Sequence, residues 1–413
     1  MAEEKKTLDK KKISISDLKN SKDEKRIMLS TGFRNIDTTL GYRVYDEHTN
    51  ELIRTNRGIL SGSKVTLTGV SHSGKSTLAI EMAGSMIRPW VLKGDTRAKI
   101  YVFDTEVGVN RERFKILTKY TLDQINDHVE FEEELTVEAI KKCILGIVKE
   151  KDNKEYKLDQ MENHSGRQVL MHAPSIIIID SITNLITDKV ADIQKDTSNT
   201  MYMQVAGEID RFMRQYGYVL HRYNISIITV AHTGKEFDID AMPGQRPKRK
   251  WKFLPAGHKI KAPSAMTYGC DVGIHFDSIV ARDRSQMEEK QSAGYLDATS
   301  AVSAIIYKSR QTGEGASFYL VQDPAGFDPL KSLIFECQKL KILQSKPGAR
   351  ELAGYGSVKN NDILNTFKTD PTFRQSLFLE YDKYHEEKLE SNRMPMEEIE
   401  MSNTIYDLLT EDF

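Results

Sequence analysis

The sequence predicts an α/β protein built on a mostly parallel central sheet flanked by helices. Residues 69–77 read Gly-Val-Ser-His-Ser-Gly-Lys-Ser-Thr, which fits G-x-x-x-x-G-K-[S/T], with a strand-like run before them and a helical run after them. Residues 174–181 read Pro-Ser-Ile-Ile-Ile-Ile-Asp-Ser. This unbroken β-branched run is typical of a parallel strand buried on both faces. Together the two stretches favour a sheet covered by helices on each side.

The glycine-rich loop contains the residue types that hold the phosphates of a nucleotide. Gly69 and Gly74 allow backbone angles that let several N–H groups converge on one point. Lys75 brings a positive charge to the β- and γ-phosphates, and the Ser76 hydroxyl is placed to bind Mg²⁺. A helix beginning here also presents the positive end of its dipole. The predicted nucleotide-binding residues are Gly69, Val70, Ser71, His72, Ser73, Gly74, Lys75, Ser76 and Thr77.

The composition limits the classes of protein that fit. The 413 residues, 39% of them hydrophobic, suffice for one large domain with appendages or for two domains. The net charge of −1 predicts no nucleic-acid binding by overall charge, so any such site must be a local patch. Three cysteines without paired spacing argue against disulfides and zinc, and they favour a reducing compartment. Neither a secretory signal nor a membrane span is recognisable, so we expect a soluble cytoplasmic protein, in the nucleoid or in a phage-infected cell.

Two predicted strands end in acidic residues. Residues 98–106 form a strand that ends in Asp104-Thr105-Glu106, and the isoleucine run ends at Asp180. Parallel sheets gather their ligand chemistry at the carboxyl ends of the strands, beside the phosphate-binding loop. Asp180 is therefore predicted to hold Mg²⁺ together with Ser76.

The chain divides into three predicted parts. Residues 1–28 form a polar, mixed-charge N-terminal arm, residues 29–345 the core, and residues 346–413 a small, mostly helical appendage. From residue 385 onward there are nine acidic residues against Lys388 and Arg393. Such a tail either disfavours DNA contact until it is displaced, offers a surface to basic partners, or only solubilises the chain.

A basic and aromatic run lies in the long segment between two predicted strands. Five basic residues alternate with two aromatic ones within eight positions. This composition suits phosphate contacts combined with base stacking on single-stranded nucleic acid, although a localisation signal or a solvated surface run has the same composition. The predicted DNA-binding residues are Arg246, Lys248, Arg249, Lys250, Trp251, Lys252 and Phe253.

A block before the phosphate-binding loop adds a family resemblance. Leu29-Ser30-Thr31-Gly32, Ile36-Asp37, Leu40-Gly41, Gly58 and Gly62 keep the spacing of the signature that precedes the loop in the RecA family. The resemblance covers about residues 29–345. His232, at the end of the strand 226–233, and Lys308-Ser309-Arg310, after the strand 300–307, make the chain look closer to the phage UvsX branch than to bacterial RecA. No aromatic residue matches an adenine-stacking position clearly, and Phe114 is the nearest candidate.

This resemblance implies a RecA-like ATPase that uses ATP and Mg²⁺. In the family, the residue matching Glu106 activates the attacking water, and the one matching His232 senses the γ-phosphate. Residues matching Lys308 and Arg310 reach the ATP of the neighbouring subunit, and the basic run matches the second DNA-binding loop. The implied function is DNA-dependent ATP hydrolysis by helical filaments that pair single-stranded DNA with a homologous duplex in recombination and repair. A mediator or a single-strand-binding protein is a further candidate partner.

Two other functions share this sequence pattern. A hexameric helicase has the same ATPase core, but it usually carries a substantial N-terminal domain, and only about 28 residues precede the Leu29 block here. A nucleotide-dependent structural or accessory filament would act without strand exchange. Lys75, Glu106 and Asp180 argue against an inactive ATPase but not against an accessory role.

Overall fold

The fold is described from a computed structural model of the chain, which covers residues 26–46, 48–188, 199–235, 251–279, 300–312, 314–323, 325–386 and 394–396. The first half of the described chain contains β1 Met28–Leu29, α1 Arg34–Thr39, β2 Tyr42–Asp46, β3 Leu52–Asn56, β4 Ile59–Leu60, β5 Lys64–Gly69, α2 Lys75–Leu92, β6 Lys99–Asp104, α3 Arg111–Thr118, α4 Leu122–His128, β7 Val129–Phe131, α5 Val137–Lys151, β8 Asp159–Glu162, β9 Gln168–Met171 and β10 Ser175–Asp180.

The second half contains α6 Asn199–Arg222, β11 Ile225–Lys235, β12 His258–Ile260, α7 Ser264–Thr267, β13 Val272–Ile279, β14 Ser300–Ser309, β15 Ser317–Asp323, β16 Gly326–Phe327, α8 Pro329–Lys339, β17 Leu343–Lys346, β18 Ala349–Leu352, β19 Gly356–Lys359, α9 Ile363–Thr369, α10 Pro371–Tyr384 and β20 Met394–Met396. Short 3₁₀ turns follow β10 at Ile182–Asn184 and β19 at Asn360–Asp362.

In the described part of the chain, the central sheet has ten strands and is parallel through its middle. Its order is β16, β15, β14, β13, β5, β11, β10, β6, β7, with β12 paired to the end of β11. The pairs from β13 through β5, β11, β10 and β6 to β7 are parallel, whereas β14, β15 and β16 are added antiparallel. The predicted α/β class with a mostly parallel sheet is confirmed. β13 joins the two parts of the sheet, because it pairs in parallel with β5 and antiparallel with β14.

The isoleucine run in β10 explains why helices cover both faces of the sheet. Successive side chains of a strand point to opposite faces. Ile176 and Ile178 accordingly pack in the apolar layer that includes α2. Ile177 and Ile179 pack in the opposite layer with Ile140 and other residues of α5. All four isoleucines are fully buried, as a parallel strand between two helical layers requires.

The block before the phosphate-binding loop is held together by one buried carboxylate. Asp37 accepts hydrogen bonds from the Ser30 hydroxyl at 2.6 Å, the Thr31 hydroxyl at 2.6 Å and the Thr31 N–H at 2.9 Å. Burial raises the pKa of Asp37 to about 6, although these hydrogen bonds oppose that rise. The spacing between Ser30 and Asp37 therefore encodes a local hydrogen-bond network that fixes the entry of the chain into the core.

A smaller unit follows the sheet and has its own apolar core. The helices α8, α9 and α10 pack around β17–β19, with Phe373, Leu377 and Tyr381 fully buried among them. α8 ends at Lys339, and the chain enters β17 at Leu343. The predicted helices of the appendage are thus accompanied by a three-stranded antiparallel sheet that the sequence analysis missed.

Within the described residues, no helix is both long and apolar enough to cross a membrane.

Candidate nucleotide-hydrolysis site

Four parallel strands bring Glu106, Asp180, His232 and the phosphate-binding loop to the same end of the sheet. His232 of β11 lies in register with Gly69 at the end of β5, and Asp180 of β10 lies in register with Asp104 of β6. Because β5, β11, β10 and β6 are neighbours, their carboxyl ends converge. The phosphate-binding loop, Glu106, Asp180 and His232 therefore belong to a single site.

The phosphate-binding loop has the tight geometry that its glycines predict. Gly74 has φ +89°, and a Cβ there would lie 2.4 Å from the Phe327 ring, so only glycine fits. The Lys75 Nζ donates to the Val70 carbonyl at 2.6 Å and contacts the Ser73 hydroxyl at 3.3 Å. Burial lowers the pKa of Lys75 to about 8, against the opposing influence of the acidic residues nearby. The loop thus holds a largely desolvated cation close to its backbone.

Glu106 is held by two hydrogen bonds to the same oxygen. The His232 Nε2 lies 2.7 Å from the Glu106 Oε1, and the Ser181 hydroxyl donates to that oxygen at 2.8 Å. Burial alone would raise the pKa of Glu106, but these hydrogen bonds and nearby positive charge bring it below its ordinary value. The Glu106 side chain remains 37% exposed. It is therefore an oriented, ionised carboxylate that water can reach.

Asp180 and Ser76 fit the magnesium site that the sequence predicted. Asp180 is 3% exposed, and the Ser76 hydroxyl is hydrogen-bonded to its side chain. Burial raises the pKa of Asp180 to about 6. Its buried Oδ1 has no hydrogen-bond partner among the described residues. Mg²⁺ typically takes one or two protein oxygens and fills its other positions with water and phosphate oxygens. An orphaned carboxylate oxygen beside a hydroxyl meets that requirement.

Three residues beside the phosphate-binding loop were missed by the sequence analysis. The Arg113 guanidinium donates to the Thr77 hydroxyl at 3.2 Å, and Gln322 and Phe327 border Gly74. Arg113 follows a recognisable helix cap, since the Asn110 side chain accepts from its N–H. No sequence pattern, however, connects it with Thr77. The adenine-stacking candidate Phe114 is wrong, because it is fully buried and packs edge-on against Phe131 with ring centroids 5.9 Å apart.

Lys308 and Arg310 lie near the other end of the parallel strands, away from the phosphate-binding loop. β14 runs antiparallel to β13, so Lys308 is in register with Gly273 at the start of β13, and Val272 is in register with Val65 at the start of β5. The six-residue strand β5 runs from Lys64 to Gly69, so its two ends are about 17 Å apart. The 56%-exposed Arg310 side chain pairs with Asp271 at 3.2 Å. Neither cation is therefore beside the phosphate-binding loop of its own chain.

The structure describes only the last three of the predicted DNA-binding residues. Lys252 is exposed. Trp251 and Phe253 are partly buried: the Trp251 ring stacks on Tyr268 with centroids 4.8 Å apart, and the Phe253 ring stacks on Tyr307 at 4.9 Å. The aromatic residues thus anchor the end of this segment to the sheet. The remaining predicted residues lie outside the described part of the chain: Arg246, Lys248, Arg249 and Lys250.

A phosphate-binding loop, a buried acid facing its serine and a glutamate at the end of a neighbouring strand define a P-loop ATPase. The sequence comparison agrees, because residues 61–304, more than half of the chain, match the family described as AAA domain. The chain belongs to that family.

Among solved structures, the chain is similar to one described as the crystal structure of the RadB recombinase. The identity is 16%, the TM-score is 0.41, and the match covers 73% of this chain and 98% of that one. No curated protein matches the sequence.

Proposed function

We propose that this protein is a RecA-like, DNA-dependent ATPase that forms helical filaments on single-stranded DNA and pairs it with a homologous duplex. The observation that carries the proposal is the position of Lys308 and Arg310. They lie near the ends of the strands that point away from their own phosphate-binding loop. They can therefore reach a nucleotide only on another copy of the chain. Repeated head-to-tail contacts of this kind generate a ring or a filament.

The chain's own residues account for the hydrolytic step. Both hydrogen bonds from His232 and Ser181 go to the Glu106 Oε1, so Oε2 remains to accept a proton from the attacking water. Lys75 and the loop N–H groups hold the phosphates of ATP. Asp180 and Ser76 would hold Mg²⁺, which neutralises charge on the phosphate oxygens. Arg310 and Lys308 of a neighbouring copy add positive charge to the transferring phosphoryl group.

His232 offers a route from the nucleotide to the predicted DNA-binding segment. Its Nε2 contacts Glu106, while its carbonyl accepts the Lys261 N–H at 2.7 Å. Thr233–Lys235 then pair with β12, His258–Ile260. The segment that joins these two strands includes the basic run at 246–253. A shift of the His232 ring would therefore move both ends of that segment. We propose further that residues 1–28 contact a neighbouring subunit.

The proposal is tested by the ATPase rate with and without single-stranded DNA, for the wild type and for Glu106→Gln, with electron micrographs of the same samples. We expect strong stimulation by DNA and long helical filaments that Glu106→Gln stabilises. Closed hexameric rings would favour the helicase. Filaments with DNA-independent activity would favour the structural polymer.

A variant of the basic run tests whether this segment binds DNA. Replacing Lys248, Arg249 and Lys250 together by alanine should remove DNA binding and DNA stimulation, because it removes three cations that contact DNA phosphates. The basal rate should be unchanged, since Lys75, Glu106, Asp180 and His232 are all retained. Undiminished DNA stimulation in this variant would contradict the assignment of the segment.

A further inference from the structure

An apolar cavity of about 490 Å³ lies between the ATPase core and the C-terminal unit. Its walls come from α1, α2 and the end of α3 on one side, and from α8, α9 and α10 on the other. Most of the lining is hydrocarbon, including Phe33, Leu117, Leu330, Phe367 and Phe378. A cavity of this size admits several apolar side chains. It adjoins the phosphate-binding loop through Phe327, which borders Gly74, but Glu106, Asp180 and His232 do not line it.

The polar groups in the cavity are mainly cationic. Arg88 donates to the Thr118 carbonyl and Arg374 to the Phe367 and Lys368 carbonyls, and neither has a carboxylate within ion-pair distance among the described residues. The lining also contains two acids, Asp37 and Glu81. Asp37 is held by hydrogen bonds from Ser30 and Thr31. Glu81 is 8% exposed, and burial raises the pKa of Glu81 to about 9, so Glu81 is uncharged at neutral pH. Its Oε1 accepts the Phe327 N–H, whereas its buried Oε2 has no partner in the described part of the chain. The cavity therefore favours an occupant that is apolar and negatively charged.

We propose that this cavity is the docking site for the C-terminal segment of the same chain, residues 397–413. These seventeen residues contain six acids and no lysine or arginine. They also include the apolar residues Ile405, Tyr406, Leu408, Leu409 and Phe413. The segment is thus complementary to the cavity in both charge and hydrophobicity.

The tail starts within reach of the cavity. The strand β20, which immediately precedes the segment, pairs in parallel with β2, so Met396 lies opposite Asp46. β2 follows α1, and α1 forms part of the cavity wall through Arg34 and Asp37. Seventeen extended residues span up to about 58 Å, more than the dimensions of a small domain. Leu408 and Leu409 would fill the apolar walls, and the flanking Asp407 and Glu411 would lie near the arginines. Docking would connect the phosphate-loop helix α2 to the C-terminal unit and keep an acidic segment away from DNA.

The experiment uses the full-length chain and a fluorescein-labelled synthetic peptide of residues 397–413. In the wild type the cavity is occupied by its own tail, so the peptide should bind weakly. In the full-length variant Leu408→Ser/Leu409→Ser the tail is released, and the peptide should bind about tenfold more tightly. Hydrogen exchange of residues 364–378 should be faster in that variant without peptide and slow again when the peptide is added.

Two helix α10 substitutions in the tail-released variant locate the bound peptide. Arg374→Gln should weaken peptide binding about tenfold, whereas Lys383→Gln, on the exposed side of the same helix, should leave it unchanged. Equal peptide binding by the wild type and the released variant, or no difference between these two substitutions, would overturn the proposal. So would loss of binding when Lys248, Arg249 and Lys250 become alanine, because the tail would then dock on the basic run.

A concentration series separates docking within one chain from docking between copies. Protection of residues 364–378 that does not change with protein concentration is expected for the chain's own tail. Protection that increases with concentration would assign the tail to a second copy and would overturn the proposal in its present form. Thermal unfolding of each variant shows whether Arg374→Gln has only disturbed the end of α9, whose carbonyls Arg374 binds.

Discussion

Glu106 and Asp180 end adjacent strands, yet their surroundings give them different chemistry. Asp180 is buried, and its pKa is raised to about 6, which suits an oxygen that a cation will neutralise. Glu106 is more exposed, and hydrogen bonds lower its pKa despite partial burial, so it stays ionised. Environments that push the pKa values of two acids apart are a usual way to divide their roles. This difference supports the proposal that Glu106 accepts the proton and that Asp180 binds the cation.

Replacing Glu106 by glutamine should lower kcat by about 10²- to 10⁴-fold, because the amide cannot accept the proton from water. Nucleotide affinity should change little, since Lys75 and the loop N–H groups remain. Single-turnover hydrolysis and binding of a fluorescent nucleotide analogue measure the two effects separately. Glu112→Gln, at an exposed position on α3, is the control and should behave like the wild type. Equal loss of affinity and of rate in Glu106→Gln would contradict the assignment.

The buried Glu81 predicts a loss of stability as the pH rises. Its pKa is raised to about 9 by burial in the folded chain, so between its ordinary value and pH 9 the folded state binds a proton that the unfolded state releases. The free energy of unfolding should therefore fall with pH across this range. Glu81→Gln mimics the protonated form and should raise the free energy of unfolding at pH 8 by about 1–3 kcal/mol.

At pH 5 the same substitution should have little effect on the free energy of unfolding, since Glu81 is protonated in the folded state. Urea titrations of both chains at the two pH values measure this, with Glu112→Gln as the control. A stabilisation that is equal at both pH values would contradict the explanation by desolvation.

Within residues 251–253, we expect the aromatic ring of Trp251 to contribute to stability and the exposed Lys252 to contribute to DNA binding. Trp251→Ala removes ring contacts with Tyr268 and Tyr307 and should lower the free energy of unfolding by about 1–3 kcal/mol. Lys252→Ala removes an exposed cation; it should leave stability unchanged and reduce the salt dependence of DNA affinity by about one ion. Thermal unfolding and DNA titrations at several salt concentrations test both. A stable Trp251→Ala chain that has lost DNA binding would instead assign base stacking to this ring.

Sequence predicted best the elements whose local pattern of residues fits one kind of structural environment. The loop at 69–77 requires its glycines and lysine in order, and four consecutive isoleucines fit only a strand buried on both faces. Ile140, Ile144 and Ile147 recur at helical spacing in α5, and all three are buried. In contrast, β17–β19 are short strands rich in polar residues and carry no clear alternation.

Contacts between distant segments could not be read from the sequence. The hydrogen bond from Arg113 to Thr77 and the contact of Gly74 with Phe327 depend on how α3 and β16 pack against α2. The location of Lys308 and Arg310 follows from the antiparallel direction of β14 together with its register on β13. Sequence therefore indicated which residues gather around the phosphate-binding loop, whereas the packing places Lys308 and Arg310 away from that loop.

At the scale of the whole molecule, the site should be incomplete without a neighbour. Arg310→Ala should hydrolyse ATP far more slowly than the wild type, by about 10³-fold if it acts as a trans arginine does elsewhere. Lys75→Ala should be inactive because it cannot hold the phosphates. An equimolar mixture of the two inactive chains should recover activity, since a Lys75→Ala subunit can still supply Arg310 to its neighbour. In a random head-to-tail mixture, about one quarter of the sites combine an intact Lys75 with an intact Arg310 from the neighbour. The recovered rate should therefore be about one quarter of the wild-type rate.

The double variant Lys75→Ala/Arg310→Ala is the control for this mixing experiment. Mixed with Arg310→Ala it supplies no arginine, so no activity should return, although the subunits can still assemble. Arg310 also pairs with the buried Asp271, so thermal unfolding must show that Arg310→Ala remains folded. Lys308→Ala is a companion variant that keeps the ion pair between Arg310 and Asp271. Recovery only in the first mixture would require a site shared between copies. No recovery in either, with intact folding and assembly, would mean that Arg310 acts within its own chain's structure, and the argument for a head-to-tail filament would lose its main support.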